Sequence, residues 1–487
     1  MLRGLLCFAL ARGWEWEETP ALNLLLLRAR KVAGEVDAEE AFAEAGAAPC
    51  EACVTFAYSA WKEAVSSGLC STNVTALSIP IVSKPPVTHA NITCSLQDGI
   101  KTYLFPAGIF EISEQLLIPE KTSITGASNP NDMAAPTRTP RWEAQTLFLA
   151  TRGVSDYRMN YCHAQDMVTT RVGFVLSSFV SVRNISYQGL DVIRPSDNGA
   201  LCGGGAFETK GCAENNCNAS EVNNAGSDGV GSVHVVIENI RLNDYFYAED
   251  AAKVGAPIAG NYQCKTERWL EECCFCKPNG VRGSQVGVWV PQARNPEGTQ
   301  DLYVNNVVAR SAQADAINLH GYVRGALVQN VYFENTGDDM FVLWGAGLGP
   351  ENVTFKDTVA VNPGILRPNW YGNCAATYGA KSVVFDGLTC KAPTLAHPIP
   401  SPANGDVTID TSLLVVWTSF GAKYPEGNNV TLARWRFEDL QGKIYTPAAG
   451  SFKRYEVGKM VWTEVAGTAA PVYLPHQQQK VNLYAFP

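Results

Sequence analysis

Two stretches of one chain, 315-DAINLHG-321 and 339-DMFVLWG-345, share a pattern: aspartate first, an apolar side chain third, leucine fifth, a ring sixth and glycine last. They lie 24 residues apart. A repeat of that length, written in short apolar runs rather than a helical period, marks a solenoid whose successive coils lie on one another. A second phrase recurs around it: VRNISY at Asn184, IENIRL at Asn239, VNNVVA at Asn306, VQNVYF at Asn330 and PENVTF at Asn352, the last three at intervals of 24 and 22 residues. From about residue 100, text such as 102-TYLFPAGIFEISEQLLIPEKTSITG-126 alternates apolar and polar residues in runs broken by Pro and Gly, as strands do. The pattern predicts an all-β chain wound as a single-stranded right-handed parallel β-helix, inward side chains stacking on their counterparts one rung away. A β-sandwich or propeller would need hairpin turns or a longer blade repeat, and neither is evident.

With 46% of its 487 residues hydrophobic and 17% charged, the chain can bury many strands against one another. A net charge of -9 gives no basic footprint, which argues against a nucleic-acid partner and favours a neutral one. No apolar run reaches the roughly 18 residues of a membrane-spanning helix. Residues 1–49, rich in Ala and Glu, read as a leader or pre-sequence. Residues 50–97 form a cysteine-containing N-terminal segment, 98–440 the β-helix, and 441–487, where the coil phrase is lost, a C-terminal cap. Fifteen cysteines suit an oxidising compartment, and departure of Cys7 with a leader leaves an even number to pair. Six N-x-[ST] triplets, at Asn73, Asn91, Asn184, Asn218, Asn352 and Asn429, point likewise to a secreted, N-glycosylated chain. Cys50 and Cys53 in CEAC suit zinc or disulfides; no second CxxC follows at finger spacing, so disulfides are the expected use. The Gly-, Asn- and Cys-rich text at 202–228 and the cluster Cys264, Cys273, Cys274 and Cys276 read as disulfide-tied loops, the second also suiting a thiolate metal cluster.

If the 24-residue step is one coil, Asp315 and Asp339 are equivalent residues with Cα atoms about 4.8 Å apart, the strand spacing. Asp338 stands one position earlier, where the preceding coil has Ala314, so three carboxylates converge with no Lys or Arg nearby in sequence. Such a cluster opposes folding and drives pKa values apart, which is how one residue type supplies both an acid and a base. It suits a structural calcium ion as well; no other cofactor is implied. His320 and Trp344 share one coil position and Asn318 lies two residues before His320, rings and hydrogen-bonding groups suited to sugar. Two stacked aspartates and a diagonal third can supply either the about 5–5.5 Å separation of a retaining glycosidase or the about 6.5–9.5 Å of an inverting one.

The run ADAINLHG followed by NTGDDMFVLW resembles the signature of the mycodextranase-type α-1,3-glucanases, glycoside hydrolase family 87. The likeness extends from GVWVP at Gly287 through PNWYGNCAATYGAKSVVFDG to VVWTSFG near Trp417. That resemblance implies a pectin-lyase-like solenoid and endo-acting, inverting hydrolysis of α-1,3-glucan, a neutral polysaccharide, by a secreted monomer. It implies Asp315, Asp338 and Asp339 as catalytic residues, with Asn318, His320, Trp344 and Trp370 on the substrate. Ala316 and Met340 stand where the family usually has glycine and are expected to crowd the site. Polygalacturonases share the fold and an aspartate triad, but their Gly-His-Gly and Arg-Ile-Lys signatures do not occur here. The same scaffold also suits a non-catalytic carbohydrate-binding or cell-surface protein, or a lyase.

Overall fold

The structure, a computed structural model, describes residues 55–66, 70, 75–80, 89–128, 146–153, 171–191, 205–212, 229–244, 282–345, 349–364, 366, 372–392, 411–417, 424–439 and 442–447, and the strands 453–457, 461–465, 468–474 and 481–485. The 24-residue step is realised as strand register: Ile317 lies opposite Phe341, Leu319 opposite Leu343 and His320 opposite Trp344, all parallel. Gln115–Ile118, Gly173–Leu176, Gly205–Thr209, Val286–Val290, Ile317–His320, Phe341–Trp344, Ala375–Tyr378 and Leu414–Val416 are successive neighbours in one sheet of short strands. Between them the chain runs through the longer strands of a second sheet, among them Thr299–Ala312, Val323–Thr336 and Glu351–Val361. The chain is therefore a parallel β-helix.

The recurring asparagine is a corner. Asp301, Asn306 and Ser311 bend the strand Thr299–Ala312 with φ of 52°, 52° and 65°, and Gly325, Asn330 and Asn335 do the same one coil later. Asn and Asp enter this left-handed region more readily than other residues with a side chain, because their short polar side chains bond locally. The asparagines also bond along the axis, Asn306 Nδ2 donating to Asn239 Oδ1 and Asn239 Nδ2 to Asn184 Oδ1 at 2.7 and 2.9 Å. One expectation is corrected here. Register sets Arg324 opposite Glu351 and Val331 opposite Thr358, a step of 27, so Asn330 is matched by Asp357 and not by Asn352. Asn352 belongs to the corner line of Asp301 and Gly325; the same dipeptide context serves two different bends.

Inside the coil, like stacks on like. Val304, Val328, Phe355, Phe385 and Leu432 form one fully buried line, and the Phe355 and Phe385 rings stack at 5.1 Å. Toward the N-terminal end the line becomes aromatic, with Phe105, Phe110, Phe148, Phe174 and Phe207 all fully buried. The helix Tyr58–Ser66 sets Trp61 against Phe105 and Phe148. The glycine-rich text at 202–228 is not wholly loop: Gly205–Thr209 is a strand, buried throughout, whose Phe207 joins this stack 5.8 Å from Phe174. At the other end Thr468–Leu474 and Val481–Ala485 pair parallel with Leu414–Val416 and Val430–Ala433, each followed by an antiparallel partner. Disulfides join Cys70 to Cys94 and Cys374 to Cys390. Residues 1–54, including Cys50 and Cys53, and the cluster Cys264 to Cys276 lie outside the described residues.

Candidate active site

Asn335, at φ 63°, turns the chain out of the long sheet just before the acidic pair. The turn is then fixed from several directions. Gly337 N donates to Ala312 O at 2.9 Å, Asp338 N to Ala314 O at 3.2 Å, and the Thr336 hydroxyl to Asp338 O at 2.5 Å. Ala316 N meets Asp339 O and Met340 N meets Asn373 O, which aligns Asp339 with Asp315 on one side and Asn373 on the other. One carboxylate oxygen each from Asp315, Asp338 and Asp339 lies within 4.8 Å of the other two. The three carboxylates expected to converge do converge.

Their environments differ, and that difference is chemical. Asp339 is 2% exposed, Asp315 9%, and Asp338 is only half-buried. Asp339 Oδ1 accepts from both the backbone N and the side-chain Nδ2 of Asn373, each at 2.7 Å, and Oδ2 accepts from the Tyr378 hydroxyl at 2.7 Å. Burial, then the neighbouring charges of Asp338 and Asp315, push the Asp339 carboxyl well above the usual carboxylate range, against the opposing pull of its Tyr378 and Asn373 hydrogen bonds. Asp315 Oδ2 accepts from Asn318 Nδ2 at 2.8 Å.

Beyond the carboxylates, four rings form a ladder over four coils. His320 stacks on Trp344 at 4.9 Å and 13°, Trp344 meets Tyr378 at 6.1 Å, and Tyr378 meets Trp417 at 6.4 Å. Burial lowers the His320 pKa to about 4, so its imidazole is neutral at neutral pH. Stacking on His320 covers one face of Trp344; Trp344 and Trp417 are half-buried against Val342, Ala376, Tyr378 and Val415.

Asp315, Asp338, Asp339, Asn318, His320 and Trp344 thus fall on neighbouring coils at one side of the short sheet, while Trp370 lies outside the described residues. The crowding expected from Ala316 and Met340 does not arise, because both are fully buried and present no surface on the open side of the cluster. Asn373, Tyr378 and Trp417 were not expected at the site. Their signal was in the text: 373-NCAATYG-379 repeats 339-DMFVLWG-345, and 412-SLLVVWT-418 repeats it again, with a ring sixth each time. The steps of 34 and 39 residues to Asn373 and Ser412 obscured a pattern sought near 24.

No family model and no curated protein matches the sequence. Among solved structures, the fold is similar to the catalytic domain of a GH87 α-1,3-glucanase in complex with tetrasaccharides, with a TM-score of 0.37 and 14% identity over 72% of this chain and 43% of that one. It is similar to the catalytic unit of a GH87 α-1,3-glucanase from Streptomyces thermodiastaticus, with a TM-score of 0.32 and 13% identity over 71% and 43%. It is also similar to PfbA, a surface adhesin of Streptococcus pneumoniae, with a TM-score of 0.35 and 8% identity over 77% and 92%. The chain spans less than half the length of the glucanase chains it matches.

Proposed function

We propose that this protein is a glycoside hydrolase acting on a neutral α-glucan, with Asp315, Asp338 and Asp339 as its acid–base set. The observation that carries the reading is the Asp339 carboxyl, which burial and two neighbouring charges hold in its protonated form within reach of those charges. Hydrolysis of a glycosidic bond needs one proton donor and one ionised carboxylate, and like charges this close cannot all be ionised. The ring ladder beside the cluster fits an uncharged, ring-shaped ligand. The resemblance of the DAINLHG and TGDD segments to the α-1,3-glucanases names the substrate, endo action and inversion of the anomeric centre.

The test is product analysis on α-1,3-glucan, nigeran, dextran and polygalacturonate. Oligosaccharides from α-1,3-glucan, β-configured at the new reducing end when observed by NMR during the first turnovers, are expected. An α-configured product would assign retention, and no product from any glycan would remove the hydrolase reading in favour of a carbohydrate-binding protein. A hard cation is the competing occupant of the three carboxylates. It needs six to eight oxygen ligands, whereas Asp339 Oδ1 already accepts two N–H donors. Rates are therefore expected to survive chelation; rates abolished by EDTA and restored by calcium would assign the cation instead.

The two disulfides and six sequons support a secreted, N-glycosylated chain. Asn352 and Asn429 are exposed, whereas Asn184 sits in the asparagine ladder. Secretion from a eukaryotic host is expected to add amidase-sensitive mass at Asn352 and Asn429, read by peptide mass spectrometry; unmodified peptides at both would remove the glycosylation.

A further inference from the structure

Tyr378 connects two parts of the site that the sequence treated separately. Its strand, Ala375–Tyr378, lies beside Phe341–Trp344 in register, so its ring takes the place in the ladder one coil after Trp344 and one before Trp417. Its hydroxyl nevertheless reaches the carboxylate edge of the sheet and meets Asp339 Oδ2 at 2.7 Å. Small Ala376 lies on the same outward face, where Val342, Ala376 and Tyr378 pack together. A bulkier side chain there would compete with the tyrosine for that face.

Asn373 makes the arrangement directional. Its backbone N and its Nδ2 both donate to Asp339 Oδ1, and its own Oδ1 is fixed by Ser412 N at 3.0 Å. With both lone pairs of Oδ1 engaged by N–H donors, a proton on Asp339 belongs on Oδ2, facing the Tyr378 hydroxyl. That hydroxyl can donate to Oδ2 when Asp339 is ionised and accept from it when Asp339 is protonated, because a phenol does both. We propose that Tyr378 is a positioning residue for the reaction: with Asn373 claiming Oδ1, it holds Oδ2 and directs the proton of Asp339. The assignment rests on the hydrolase reading.

The test is Tyr378→Phe in the full chain, which keeps the ring and its ladder contacts and removes only the hydroxyl. Loss of a hydrogen bond to the ionised form moves the titration of Asp339 upward, since that bond now favours the carboxylate. The limb of the kcat/KM pH profile that reports Asp339 is expected to rise by about one pH unit, with kcat reduced about tenfold and KM little changed. Tyr378→Leu, which also loses the ring, is expected to raise KM in addition. A Tyr378→Phe profile superimposable on the wild type would overturn the assignment, as would a reduced thermal midpoint with no change in the profile.

Infrared titration separates failure of this assignment from failure of the hydrolase reading, because it needs no turnover. The protonated-carboxyl band that disappears in Asp339→Asn identifies the group. Its titration is expected to shift upward in Tyr378→Phe even if no glycan is cleaved, and an unshifted band would overturn the role of Tyr378 on its own terms.

Discussion

Asp339→Asn is expected to lower turnover by about 10²- to 10⁴-fold, the usual contribution of one acid–base group, and to raise stability at neutral pH. The two effects share one cause. A buried carboxyl beside two others is held protonated in the folded chain and ionises freely in the unfolded one. A folded-state pKa above the unfolded value means that the unfolded state loses its proton first as pH rises. Asp339 therefore weakens folding from about pH 4 upward, at a limiting slope of about 1.4 kcal/mol per pH unit, until the folded carboxyl itself ionises. Asparagine keeps an acceptor for the two Asn373 donors at Oδ1 and carries no charge to desolvate, so it removes the penalty without breaking that contact. Denaturant midpoints of the two proteins are expected to coincide near pH 4 and to separate, variant above wild type, toward pH 7. A variant less stable than wild type at pH 7, with turnover preserved, would make Asp339 a structural residue.

This coupling of activity to instability explains how the site was legible. Two adjacent aspartates before an apolar strand are costly wherever they face neighbours of like charge, and the offset of 24 residues to Asp315 supplied the neighbour. What the text could not supply was the difference between the three. Asp339 is distinguished by Asn373 and Tyr378, which belong to the next coil and reach it only through register. Coil length varies through inserted segments on one face, so a fixed period finds the coils that carry none and misses the rest.

The fold was legible for a related reason. Inward positions repeat as Val, Ile, Leu or Phe on every coil, and asparagine recurs where the backbone must turn left-handed. The turn requirement is met by several residue types, however. Asp301, Gly325, Asn352 and Ser382 each occupy one corner line, and Asn306, Asn330, Asp357 and Gly387 another. An asparagine in a familiar phrase therefore names a corner without saying which. The glycine-rich strand Gly205–Thr209 shows the opposite error, in which composition suggested a loop although Phe207 had an inward place prepared by Phe174.

Trp61→Ala carries the largest expected effect on stability and tests whether the coils act as one unit. Trp61 is fully buried, meets Phe148 edge-on at 5.2 Å and Phe105 at 5.9 Å, and donates Nε1–H to Glu111 O at 2.6 Å. Truncation removes the apolar plug from the first coils and leaves that carbonyl without its donor, a loss of about 3–5 kcal/mol. A solenoid transmits such a loss chiefly to adjacent coils. The strands Gly173–Leu176, Gly205–Thr209 and Val286–Val290 stand in the short sheet between Gln115–Ile118 and Ile317–His320, which follows Asp315. Calorimetry of the variant is therefore expected to show an early transition, displaced downward from the wild type, followed by a second that is not displaced. Asp339 and its partners should remain assembled through the first, so the protonated-carboxyl band and any glycan hydrolysis should persist until the second. A single transition that removes both together would show that the solenoid unfolds cooperatively, and that the N-terminal aromatic plug supports the carboxylate cluster across the intervening coils.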